Sequence, residues 1–182
     1  SLNVSARPLI VMTPKSLLRH PLAAARLEDL SEGWFHPVIG DQAAEQRADE
    51  ITRLLLCSGK IYVDLVSSDH REKAPNVALV RVEELYPFPA DLIREQIELY
   101  PSLQEVVWVQ EEPKNMGAWS FVEPRLRELL GSSLTLRYEG RPYRASPAEG
   151  YVDKHIAEQN RITRAAWEGA PQRPRQRQAK RA

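Results

Sequence analysis

One amide and two carboxylates stand in a row at Gln110, Glu111 and Glu112, directly after the apolar run Val106-Val107-Trp108-Val109. An unbroken apolar run of that length predicts a strand covered on both faces, and open α/β sheets place their working groups at the C-terminal ends of such strands. Adjacent carboxylates there could hold a cation or pair across an interface; a solvated surface pair is the equally simple reading. Pro113 is predicted to stop the strand, with Asn115 and Gly117 as loop residues and Trp119 starting the next packed element. A second acidic pair, Glu83-Glu84, follows the run at residues 77–82. A third constellation is the turn Ser58-Gly59-Lys60, between the run at residues 52–57 and the helical spacing of Ile61, Leu65 and Val66. Backbone N–H groups at a helix start together with one lysine could hold a phosphate or carboxylate. The nucleotide P-loop needs a longer glycine-bearing loop before its lysine and a hydroxyl after it, and Ile61 follows Lys60. A tight turn with an incidental lysine therefore stays beside the anion-site reading.

The elements that must position these groups alternate along the chain. Strands are predicted at residues 9–12, 52–57, 77–82, 106–109 and 133–138. Helical periodicity marks residues 61–66, 90–100, 121–130 and 153–167, with a short helix near residues 23–30. Residues 42–50 are polar, and the expectation there leans to disorder. Five strands separated by helices predict an α/β domain: three layers around a mostly parallel five-stranded sheet. That domain is expected over residues 1–169, followed by a disordered basic tail at 170–182, where Arg173, Arg175, Arg177, Lys180 and Arg181 appear with no acid.

Composition narrows the functions. The 25 basic and 25 acidic residues of the 182-residue chain cancel, so no global field draws it to nucleic acid or a membrane surface, and neither is expected as a partner. Cys57 is the single cysteine, which excludes an internal disulfide framework and suits a cytoplasmic or comparable reducing compartment. No dinucleotide fingerprint, zinc-protease helix, calcium loop or nucleophile elbow occurs, and His20, His36, His70 and His155 are scattered. No catalytic, cofactor-binding or metal-ligating set is assigned. Such a domain is more readily a subunit-forming or regulatory part of an enzyme than an enzyme by itself.

Five segments in order carry a resemblance: RPLIVMTPKSLLRHPLAA at 7–24, CSGK at 57–60, VRVEELYPFP at 80–89, VQEEPKNMGAW at 109–119, and residues 136–150. They resemble the C-terminal domain of the thiamine-diphosphate-dependent first component of the 2-oxoglutarate dehydrogenase complex, over nearly everything from Arg7 to about Trp167. The resemblance implies a transketolase C-terminal-domain-like fold. It also implies membership of an enzyme that decarboxylates 2-oxoglutarate and passes the succinyl group to a lipoyl arm of a succinyltransferase second component. Thiamine diphosphate and magnesium would be held by domains preceding this one, whose Gly-Asp-Gly motif this sequence lacks. A homodimer is implied, with Glu111, Glu112, Asn115, Gly117 and Trp119 as interface candidates; an arginine or lysine, in this domain or across the dimer, is expected to pair with at least one of the two carboxylates. Met116 stands where many members have glutamine.

Some relatives bind acetyl-CoA in this domain through an arginine matching Arg7, which joins Ser58, Gly59 and Lys60 as a possible anion site. The remaining ligand positions fall on Trp34, Pro37, Glu84, Asp91 and Leu92, where two carboxylates would repel phosphates, so activation through that site is not expected. A free-standing module that binds a phosphate-bearing ligand at the Ser58-Gly59-Lys60 turn is the alternative.

Overall fold

A computed structural model describes residues 10–168, which fall into two compact units, residues 10–35 and residues 36–168. The first unit has 3-10 turns at Lys15–Leu17 and Pro21–Ala23 and a short helix α1 at Leu27–Ser31, later than the helix expected near residues 23–30. The strand expected at residues 9–12 is not there: Leu9, like Arg7, lies outside the described residues, and Ile10, Val11 and Met12 are exposed coil. Four apolar residues report apolar content, whereas a strand needs a partner ladder, which this run does not find.

The second unit holds the whole sheet. Its elements are β1 (Val38–Ile39), α2 (Gln42–Glu45), β2 (Arg53–Cys57), α3 (Ile61–Val66), β3 (Val77–Val82), α4 (Ala90–Glu98), β4 (Glu105–Pro113), α5 (Trp119–Leu130), β5 (Thr135–Arg141) and α6 (Val152–Glu168). The spatial order is β1-β3-β2-β4-β5, parallel throughout except for β1, which runs antiparallel to β3 with Val38 opposite Val82. The sheet has the expected five strands, but β1 takes the place of the one expected at residues 9–12.

Alternation along the central strands divides the core. Leu54, Leu56, Val106 and Trp108 face α4 and α5 with Ile93, Val122 and Leu126. Leu55, Cys57, Val107 and Val109 face α3 and α6 with Ile61, Leu65, Ile162 and Trp167. The central strands are therefore buried on both sides, which is why they read as continuous apolar runs. At the sheet's N-terminal edge Arg53 joins the layers: its guanidinium lies 2.5 Å from Glu105 and donates to the carbonyls of Ala166 and Trp167 at the end of α6.

Residues 42–50 are ordered, contrary to the expectation of disorder. Asp41 caps α2 by accepting from Ala44 N–H at 3.3 Å, and Ala44 is fully buried in the core. The same carboxylate accepts the Leu79 N–H at 3.2 Å and the Arg71 guanidinium at 3.4 Å. Polarity of the segment hid this, because one side chain satisfies both a helix start and the short-paired edge of β3. Asp41→Ala is expected to destabilise the fold by about 2–3 kcal/mol, a lost cap plus a buried N–H left without a partner. Urea denaturation checks this; an unchanged midpoint would refute the role.

Candidate functional site

β2 passes through α3 to β3 on one side, and β3 returns through α4 to β4 on the other, so the connections diverge between β2 and β4. A crevice of about 490 Å³ opens at the carboxyl ends of these strands. Ser58 and Gly59 line it from the β2–α3 turn, Leu85 and Tyr86 from the end of β3, and Trp108, Gln110 and Glu112 from β4. Gly117, Ala118 and Phe121 close it at the start of α5. Divergence of the connections leaves the strand ends uncovered there, the usual place for a site in an open α/β sheet.

Contrary to the sequence expectation, β4 does not end at Val109. It continues to Pro113, which pairs with Arg141, with a shift in register against β5 between Val109 and Pro113. Gln110, 4 % exposed, fills this irregularity. Its Oε1 accepts from the Trp108 indole and from the Trp119 backbone N–H, both at 3.0 Å. Its Nε2 donates to the carbonyls of Met116, Pro113 and Glu112 at 2.8, 3.2 and 3.3 Å. One buried amide thus ties strand, loop and helix start together. Gly117 completes the turn at φ +65°, and a Cβ there would meet Gln110 Nε2 and Glu112 Cβ at 3.0 Å.

The interface candidates separate into different environments. Trp119 is 8 % exposed and packs against Tyr138 with ring centroids 5.0 Å apart, so it belongs to the core of its own domain. Asn115 forms a two-way latch, donating to the Arg144 carbonyl at 2.9 Å and accepting from the Arg144 N–H at 3.1 Å. The Glu111 carboxylate accepts from Gln159 Nε2 at 3.2 Å, and its carbonyl accepts from Arg141. Among the described residues neither Glu111 nor Glu112 forms an ion pair with an arginine or lysine, so the within-domain form of the expected pairing is not found. In the other acidic pair, Glu83 lies 2.8 Å from Arg81.

Arg141 was not singled out from the sequence, where Gly140-Arg141-Pro142 reads as the end of a strand. Its side chain is 4 % exposed, donates to Glu149 at 2.8 Å and reaches Gln159 Oε1 at 3.3 Å. Arg144 also bonds Glu149, so two guanidiniums hold one carboxylate and fasten residues 142–151 onto the strand ends. Hydrogen bonds from Arg141 and Arg144 hold the Glu149 carboxyl below its usual range. A carboxylate with a depressed folded-state pKa stabilises above its unfolded value and loses that contribution as pH falls through the folded value. The difference in melting temperature between the protein and Glu149→Gln is therefore expected to be largest near neutrality and to shrink below pH 4.5, the ordinary value. A gap that widens on acidification would contradict the pairing.

The other chemical candidates are occupied. Lys60 Nζ lies 2.5 Å from Asp64, which also accepts from Gln159 Nε2 at 2.8 Å, while Ser58 and Gly59 face the crevice. Arg7 lies outside the described residues. Burial pushes the Cys57 thiol up and Tyr138 up to about 12, so neither ionises near neutrality. Among the described residues no three His, Cys, Asp or Glu side chains cluster as a metal site, and no helix is long and apolar enough to cross a membrane.

A family model described as 2-oxoglutarate dehydrogenase C-terminal matches residues 24–167. The chain is 49 % identical over 160 residues, 87 % of its length, to a 2-oxoglutarate dehydrogenase E1 component of Shouchella clausii (strain KSM-K16). It is 47 % identical over 161 residues to the protein of that name from Geobacillus sp. (strain WCH70), and 44 % identical over 161 residues to that of Cupriavidus necator. The latter two matches each cover 88 % of this chain, and the chain spans 17 % of the length of all three relatives. The match contains the whole sheet, the Gln110-pinned loop and the Arg141 cluster, and the chain belongs to the 2-oxoglutarate dehydrogenase C-terminal family.

Proposed function

We propose that this chain is the dimer-supporting C-terminal domain of a 2-oxoglutarate dehydrogenase first component. The full-length enzyme oxidatively decarboxylates 2-oxoglutarate on thiamine diphosphate and transfers the succinyl group to a lipoyl-bearing second component. The observation that carries this reading is the match, over nearly all of this chain and 17 % of their own length, to proteins named for that component. Chemistry at the crevice supports a structural part in it. Among the described residues the only ionisable carboxylate lining the crevice is Glu112, and no lysine or arginine lines it, so these residues do not fit a magnesium-bound diphosphate. Cofactor and metal are assigned to domains outside these residues.

What the chain contributes is shape. Gln110 fixes the path from β4 into α5, Asn115 latches the loop to residues 142–151, and Arg141 donates to the Glu111 carbonyl within the register shift. Assembly would then present a rigid C-terminal edge to the rest of the enzyme, with Glu111, Glu112, Asn115, Gly117 and Trp119 shaping it. The purified 182-residue chain, given 2-oxoglutarate, thiamine diphosphate and magnesium, is expected to release no carbon dioxide above the uncatalysed rate. Release above that rate would place catalytic groups within this chain and end the proposal.

A further inference from the structure

The crevice at the ends of β2, β3 and β4 is lined mainly by apolar and aromatic side chains, and Tyr86 on its rim is 81 % exposed. Tyr86 meets Phe121 edge-on with centroids 6.5 Å apart. Two groups that could offer hydrogen bonds are already spent: the Gln110 amide is fully used within the loop, and the Trp108 indole donates to it. What is left facing the opening is aromatic surface, the Ser58-Gly59 turn and the Glu112 carboxylate, the one charged group of the lining, which pairs with no cation among the described residues. The nearest local precedent for a guest is Arg125, whose guanidinium sits 3.7 Å from the centroid of the Phe121 ring and donates to the Phe121 carbonyl. An aromatic wall with one carboxylate suits a guanidinium or ammonium group carried on an apolar stem.

We propose that the crevice is a socket for an arginine or lysine side chain from the part of the full-length protein outside these 182 residues, with its stem against the exposed Tyr86 ring and its charge on Glu112. Charge complementarity supplies the chemistry. The length of the relatives supplies the source: this chain spans 17 % of them, so most of the protein's mass is available to cover an open aromatic crevice. This rests on the reading of the chain as one domain of a longer first component, and it adds which surface is covered and by what kind of group.

Hydroxyl-radical footprinting of Tyr86 tests it in the 182-residue chain and in the full-length protein. Tyr86 is expected to react freely in the 182-residue chain and to lose most of its modification in the full-length protein, at dilutions that keep it monomeric as well as above them. Glu112→Lys in the full-length protein should restore the modification, and the milder Glu112→Gln should restore part of it; both alter a solvent-facing side chain. Equal modification in the two proteins would overturn the socket. Protection that appears only as dimers form would assign the covering group to a second copy and overturn the stated source. Protection that survives both Glu112 variants would mean apolar covering without a cation, and would overturn the charge recognition. Decarboxylase activity of the full-length protein is measured separately, so failure of the functional reading and failure of the socket give different results.

Discussion

Gln110→Ala is expected to destabilise the domain by about 3–5 kcal/mol, because it leaves several buried polar groups without partners at once. The Trp108 indole and Trp119 backbone N–H lose their acceptor, while the carbonyls of Glu112, Pro113 and Met116 lose their donor. Each orphaned buried group costs about 1–3 kcal/mol, and apolar repacking around an alanine supplies neither the lost acceptor nor the lost donor. Gln110→Glu should be no rescue: it keeps an acceptor for the two donors but sets a negative charge against three carbonyl oxygens. Urea denaturation followed by tryptophan fluorescence measures both. A loss below about 1 kcal/mol would show that water replaces the amide and that the loop is not pinned from within.

Trp119→Ala is expected to cost about 3–5 kcal/mol in the 182-residue chain alone, the scale of truncating a buried aromatic residue. Its ring is 8 % exposed, lies in the cluster containing Trp108, Val122 and Leu126, and contacts Tyr138. Lys114 Nζ lies 5.9 Å from its ring centroid, adding a cation over the same surface. Trp119→Phe should recover much of the loss by refilling the volume. In the full-length enzyme the proposal adds a second effect, dimerisation weakened by about 2 kcal/mol or more, as for an interface hot spot. Comparing the chain alone with the full-length protein separates the two contributions. A full stability loss with an unchanged dimer constant would leave Trp119 as a core residue only.

The central sheet was legible because its strands are buried on both faces. Leu54 to Cys57, Val77 to Val80 and Val106 to Val109 have no polar positions to obscure the run, and the intervening helices follow from their apolar spacing. The edge was not legible. β1 is two residues long and gains its place by pairing with β3, whereas Ile10, Val11 and Met12 look more strand-like and are exposed coil, with no ladder among the described residues. Asp41 ordered a segment whose polarity suggested disorder, through contacts to Leu79 and Arg71 that are distant in sequence.

At the site, the row of polar residues drew attention to Glu111 and Glu112, while the amide beside them does the pinning. A glutamine at the end of an apolar run is a signal that could have been weighed, since a strand-end side chain facing a proline and a glycine loop has many backbone groups within reach. Arg141 gave no such signal. Its burial depends on Glu149, Gln159 and the bulge in β4, none of which local spacing reveals.

The most direct test of the dimer-supporting role is sedimentation of the full-length first component beside a version truncated before residue 24, where the family match begins. The account predicts a dimer for the full-length protein, and for the truncated one a shift to monomer with loss of 2-oxoglutarate decarboxylation. A truncated protein that remains dimeric and active would contradict it.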